Sequence, residues 1–193
     1  MDYKDEYIIE RVKQLDDYKY IPEGYWLLGI RSDKDEANKF DDTFKLFKGE
    51  KSIITTTGTT NPGITVLKHG WKKYNKDGVA ILESDRIYYN VYQSGLHKGY
   101  MPALIQTGAP VTVYRDGDND AKSEEQGKKQ TGYFGINFHT ATRDFDKDII
   151  KEDINGWSAG CQVANRTKEY NEIIDLTKSQ KFTTYVLLKE FSV

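Results

Sequence analysis

Hydrophobic and polar positions change rhythm along this chain. Near the start, Ile8, Ile9, Val12 and Leu15 recur at helical spacing among charged neighbours, which predicts one amphipathic helix over residues 5 to 17. Pro22 and Gly24 end that segment. From Tyr25 onward the texture becomes that of short strands rich in aromatic and β-branched residues. Residues 25 to 31, 43 to 47 and 52 to 57 are the first candidates, with Lys48-Gly49-Glu50 as a hairpin turn between the last two. Asn61-Pro62-Gly63 is a turn signal, and a further strand is expected over residues 64 to 67. Others are expected over 79 to 82, 103 to 107, 111 to 114, 133 to 139, 160 to 163 and 183 to 188. Tyr170, Ile173, Ile174 and Thr177 place one helix over 168 to 178.

Many short strands, few helices and no alternation of strand with helix predict a mainly β fold, an antiparallel sandwich or barrel with a short N-terminal and one C-terminal helix. The organisation expected is an N-terminal helical segment, 1–22, followed by one domain, 23–193. Residues 116 to 129 form the most polar stretch and are expected to be a mobile loop.

Composition narrows the function. Hydrophobic residues are sparse at 37%, but fourteen tyrosines and eight phenylalanines give strands enough area for a small aromatic core. A net charge of −2 creates no field that favours nucleic acid or an anionic membrane. No run of apolar residues approaches the roughly 20 needed for a transmembrane helix. The charged start lacks the apolar run of a signal peptide, so a route outward is expected to come from elsewhere. A lone cysteine excludes an internal disulfide and a multi-thiolate zinc site. It is either a small buried hydrophobe or a working thiol.

Two segments carry candidate chemistry. Gly135-Ile136-Asn137-Phe138-His139-Thr140 is a strand ending in histidine. Asn155-Gly156-Trp157-Ser158-Ala159-Gly160-Cys161-Gln162-Val163 is a glycine-containing approach to the cysteine. Thiolate is the nucleophile, a free cysteine is mostly protonated at neutral pH, and a neighbouring imidazole can take that proton. Gly160 is expected to clear space for a carbonyl substrate. Backbone N–H groups around Ser158, Gly160 and Cys161 are expected to hold the developing oxyanion.

These segments resemble the signature of the L,D-transpeptidase catalytic domain: a histidine at a strand end, an intervening loop, then Ser/Thr-x-Gly-Cys. The matching residues are His139 followed by Thr140, and Ser158-Ala159-Gly160-Cys161. The resemblance covers roughly residues 132 to 165, with looser support from the strands and the 57 to 63 turn upstream. Ala159 stands where many members carry a second histidine, Val163 where a polar residue is usual, and the stretch from Thr140 through Gly160 is longer than usual. The resemblance implies a β-rich fold and a Cys161–His139 site, with the Thr140 carbonyl orienting the imidazole. Asp144, Asp146 and Asp148 are alternatives for that orienting role.

It also implies a substrate, the stem peptides of peptidoglycan, attacked at an L-to-D junction through a thioester. The thioester then passes to an amine or to water. Without a leader, a lytic enzyme of phage or virion type is the expected setting. Trp157, His97 and Arg143 are candidate substrate-binding residues, Arg166 an alternative arginine. No cofactor is expected, and no metal, since the spacing of His69, His97 and His139 supports no site. Asp116-Gly117-Asp118-Asn119-Asp120 fails the calcium-loop template, having Ala121 at its sixth position and Gly127 at its twelfth. Two rivals stand beside this reading. One is another cysteine enzyme, sortase-like or papain-like, whose residue order or strand motif differs. The other is a structural or wall-binding module without turnover.

Overall fold

Trp26, Leu27, Leu28 and Ile30 are all buried, so consecutive side chains on opposite faces of one strand both meet apolar surroundings. The computed structural model, which describes every residue except Met1, Asp2, Asp35, Ala37, Tyr74 and Val193, gives the reason. Strand β1 (Tyr25–Arg31) is one stave of a closed barrel, with a packed interior on one side and a helix on the other.

Helix α1 (Asp5–Lys13) ends four residues earlier than its apolar pattern suggested. It lays Ile8, Ile9 and Val12 on the outer barrel face, against Trp26, Leu28, Ile30, Phe47, Val186 and Leu188. Strands β2 (Asp42–Lys48) and β3 (Lys51–Thr59) form the hairpin anticipated around Gly49, which has a φ of +56°.

After β3 the structure departs from expectation. Residues 64 to 67 are not a strand. The N–H groups of Val66 and Leu67 both return to the carbonyl of Gly63, starting a helical turn that continues through Val66–Gly70 and Trp71–Lys73. Val66 and Leu67 then pack beneath Val79 and Ile81.

Strands β4 (Val79–Leu82), β7 (Val111–Asp116) and β8 (Lys128–Gly132) form a separate three-stranded sheet in the order β4-β7-β8. Strand β8, Lys-Lys-Gln-Thr-Gly, begins within the segment expected to be loop, at Lys128 and Lys129. It is an edge strand, where lysines are favoured because they discourage further pairing. The segment between β7 and β8 is also anchored. Glu125 pairs with the buried Arg31 at 2.5 Å and accepts from the Ser84 hydroxyl at 2.6 Å. Arg31 in turn donates to Thr60 Oγ1 and to the carbonyls of Thr60 and Leu82. This network ties the small sheet to the barrel.

The remaining staves are β5 (Arg86–His97), β6 (Met101–Gln106), β9 (Phe138–Thr140), β10 (Gln162–Ala164) and β11 (Thr183–Lys189). Barrel order is β1-β11-β5-β6-β9-β10-β3-β2, returning to β1. Two pairings, β1 with β11 and β9 with β10, are parallel, so the expectation of antiparallel pairing holds only for the rest. The twelve-residue β5 was hidden because its buried positions come in adjacent pairs, Ile87-Tyr88 and Val91-Tyr92. Asn90, with a φ of +54°, and a shift of register against β11 break the alternation. Of the stretch expected from 133 to 139, only residues 138 and 139 are strand, within β9. The side chain of Gln106 takes over there, accepting from the N–H groups of Phe134 and Ile136 and donating to the carbonyl of Gly132.

Helix α2 (Thr167–Thr177) sets Tyr170 and Ile173 into the interior cluster with Leu27, Phe44, Leu104 and Phe138. The fold is thus mainly β, with a large and a small sheet. Among the described residues no helix is long and apolar enough to cross a membrane.

Candidate active site

Strand β9 carries His139, and β10 begins one residue after Cys161. Their parallel register sets Val163 beside His139, and the N–H of Gln162 donates to the carbonyl of Asn137 at 2.8 Å. Parallel neighbours need a long crossover. Residues 141 to 161 supply it, which accounts for the length between histidine and cysteine. The buried Asn61-Pro62-Gly63 turn braces the end of that crossover: Gly63 N–H donates to the carbonyl of Ser158 at 3.0 Å. A Cβ on Gly63 would collide with the carbonyl of Asn155.

His139 is 1% exposed. Its Nδ1 lies 2.8 Å from the carbonyl oxygen of Thr140. A carbonyl only accepts, so Nδ1 bears the hydrogen and Nε2 keeps its lone pair. That Nε2 is buried and has no hydrogen-bond partner among the described residues. Burial first, then the neighbouring His97, press the imidazole pKa down to about 3 against the contrary pull of the Thr140 bond. None of Asp144, Asp146 and Asp148 makes the orienting contact.

Cys161 is partly exposed and reduced. Its thiol donates to the carbonyl of Gly135 at 3.4 Å. Burial raises the thiol pKa, while the Asn137 N–H and the charge of Lys98 oppose that rise. Both groups are therefore neutral at rest, a thiol beside an imidazole rather than a preformed ion pair.

His97 joins them from the end of β5. Its ring stacks on that of His139 with centroids 4.2 Å apart. Asn137 Oδ1 accepts from Gln106 N–H at 2.9 Å, which fixes its amide, so Nδ2 donates to His97 Nδ1 at 3.0 Å. Nε2 of His97 accordingly bears that ring's hydrogen. Burial, then Lys98, lower the His97 pKa to about 4. One nitrogen from each ring and the sulfur lie within 4.8 Å of one another, a donor set of the kind zinc takes. Histidine spacing along the chain gave no sign of this grouping. In the tautomers described, only His139 and the sulfur offer unengaged lone pairs.

The roles expected of Ser158 and Gly160 change. Gly160 N–H donates to Ser158 Oγ at 3.1 Å, and Ser158 Oγ donates to the carbonyl of Cys161 at 2.9 Å. The Gly160 N–H and the Ser158 hydroxyl are thus engaged in shaping the turn. Gly160, with a φ of +115°, is needed for contact rather than for substrate space: a Cβ there would sit 2.5 Å from the carbonyl oxygen of Ala80. The N–H of Cys161 itself has no partner among the described residues and is a free donor beside the thiol.

A groove of about 360 Å³ opens over the thiol. His97, His139, Trp157 and Cys161 line it, with Ala80 and Arg115 from the small sheet. Arg143 does not. It lies 5.7 Å over the Tyr100 ring, outside the groove. Arg166 is engaged elsewhere, with both carboxylate oxygens of Asp148. Sequence reasoning missed Arg115 and Lys98. A signal for Arg115 existed, since it continues the inward phase of Val111 and Val113 on β7, where a charge is out of place. No family model, curated protein or solved structure matches the chain.

Proposed function

We propose that the protein is a cysteine-dependent acyl-transfer enzyme acting on peptidoglycan stem peptides, as its resemblance to L,D-transpeptidases implies. The observation that carries this reading is the unpartnered lone pair on Nε2 of His139, buried beside the thiol that floors the groove. In the reaction, the sulfur attacks a peptide carbonyl carbon as its proton passes to Nε2. The carbonyl oxygen becomes an oxyanion and receives the Cys161 N–H. The carbon–nitrogen bond then breaks, the leaving amine takes the proton from the imidazolium, and a thioester remains. An amine or water, losing its own proton to His139, resolves the thioester to a cross-link or an acid and restores the thiol. The low basicity of His139 makes the imidazolium short-lived, so proton transfer accompanies bond formation and does not precede it.

The test is incubation with purified muropeptides, products followed by mass spectrometry beside Cys161→Ala. Wild type converts them and the variant does not; equal inertness of both removes the reading. One observation favours the rival of a wall-binding module: the thiol proton points to the Gly135 carbonyl, and His139 and Cys161 form no hydrogen bond. Retention of muropeptides without conversion is its signature.

A further inference from the structure

Arg31 and Arg115 are both buried, at 7% and 9% exposure, but only one of them is satisfied. Every nitrogen of the Arg31 guanidinium has an oxygen partner. Arg115 has one bond, from Nε to Gln130 Oε1 at 2.7 Å. Its guanidinium carbon lies 4.7 Å over the ring of Phe134, which holds the group flat. The two terminal nitrogens have no hydrogen-bond partner among the described residues. The acid whose charge acts on Arg115, Asp77, is engaged by Lys128 at 2.7 Å and Gln130 at 3.1 Å.

The groove that Arg115 shares with Cys161 contains no aspartate or glutamate among its lining residues, while Lys98 stands on its rim. A planar fork with two free donors at the wall of a groove matches a carboxylate. We propose that Arg115 anchors an anion subsite of this groove, which receives a free carboxylate of the ligand while Cys161 faces the carbonyl to be attacked. The choice of ligand rests on the acyl-transfer reading: it makes the substrate a stem peptide with an unamidated carboxylate near the scissile bond. The subsite itself rests only on Arg115 and its surroundings.

The sole cysteine allows a test that needs no turnover. Iodoacetate and iodoacetamide alkylate a thiol by the same displacement of iodide and differ in charge. At low salt, the ratio of their rates at Cys161 is expected to exceed the ratio in the urea-unfolded chain. It should fall by about tenfold in Arg115→Gln, in keeping with loss of a charge-assisted bond, and stay unchanged in Arg143→Gln. An unchanged ratio in Arg115→Gln overturns the proposal, as does failure of the folded protein to react with either reagent. Should that variant not fold, wild type alone suffices: N-acetyl-D-alanine should slow iodoacetamide labelling and its amide should not, and equal effects overturn the subsite. A ratio that behaves as expected in a protein inert towards muropeptides retains the anion subsite and removes acyl transfer. Muropeptide turnover with KM unaltered in Arg115→Gln does the reverse.

Discussion

His139 Nδ1 and the carbonyl oxygen of Thr140, 2.8 Å apart, decide which imidazole nitrogen is free to accept a proton. Because the partner is backbone, no side-chain change at Thr140 removes it, and the tautomer is built into β9. Replacement of His139 by alanine should lower muropeptide turnover by about 10²- to 10⁴-fold, the usual scale of general-base loss. Labelling of Cys161 by iodoacetamide should change far less, because the resting thiol does not depend on the imidazole for its ionisation. Equal losses in both assays would contradict this division of labour.

The raised thiol pKa sets a pH profile. Iodoacetamide labelling should climb with pH and inflect above the ordinary thiol value of about 8.5, because burial outweighs the help of the Asn137 N–H and Lys98. A preformed thiolate–imidazolium pair would instead plateau in mildly acid solution. Rates measured from pH 5 to 10 distinguish the two, and a plateau near pH 6 would exclude the neutral pair.

Acid should weaken the fold through the same histidine. An unfolded imidazole takes up its proton near pH 6.5, about the free value, whereas folded His139 resists until about pH 3. Between those values the unfolded chain binds more protons, so stability is full above the unfolded pKa and drains away as pH falls. His97 acts with the same sign. Buried Asp42, raised to about 6, acts oppositely, gaining its proton first in the folded state. The drop in Tm between pH 7 and pH 4.5 should therefore be smaller in His139→Gln than in wild type. An identical drop in both proteins would show that His139 is not the group responsible.

Removal of the Glu125 carboxylate leaves Arg31 buried with a lost partner and Ser84 without its acceptor. Glu125→Ala should cost about 3 kcal/mol, as for a broken buried pair, read as a lower urea midpoint. It should also open the 117–124 segment to limited proteolysis. Resistance equal to wild type would mean that other contacts hold this segment.

The strands of the β1–β2–β3 meander were legible because their apolar and β-branched residues run together and the turn at Gly49 is local. Both helices were legible from Ile8, Ile9 and Val12, and from Tyr170 and Ile173. Strand β5 was not, since its paired buried positions follow from a twist at Asn90 that local pattern does not encode. Strand β8 was not, since an edge strand of lysine, glutamine and threonine has the composition of a loop. The residues around Cys161 were readable as a motif, yet what each does was not. Gly160 packs against the carbonyl of Ala80, about eighty positions away along the chain, and Ser158 is spent on the turn itself. His97 arrives from barrel strand β5 and Arg115 from β7 of the small sheet, elements whose closeness only the tertiary fold creates. Arg143 drew notice as an arginine near the motif, but a position in the crossover points it towards Tyr100.

Barrel closure depends on its slightest joint. Strands β9 and β10 contribute three residues each, and β9 meets β6 at the single pair Leu104 and Phe138. His139 follows Phe138 at that joint and Cys161 leads into β10 on the other edge of β9, so the proposed catalytic pair sits on the clasp of the whole cylinder. Warming that loosens the clasp will separate His139 from Cys161 while the broad staves elsewhere remain hydrogen-bonded, and loss of the proposed activity should run ahead of melting.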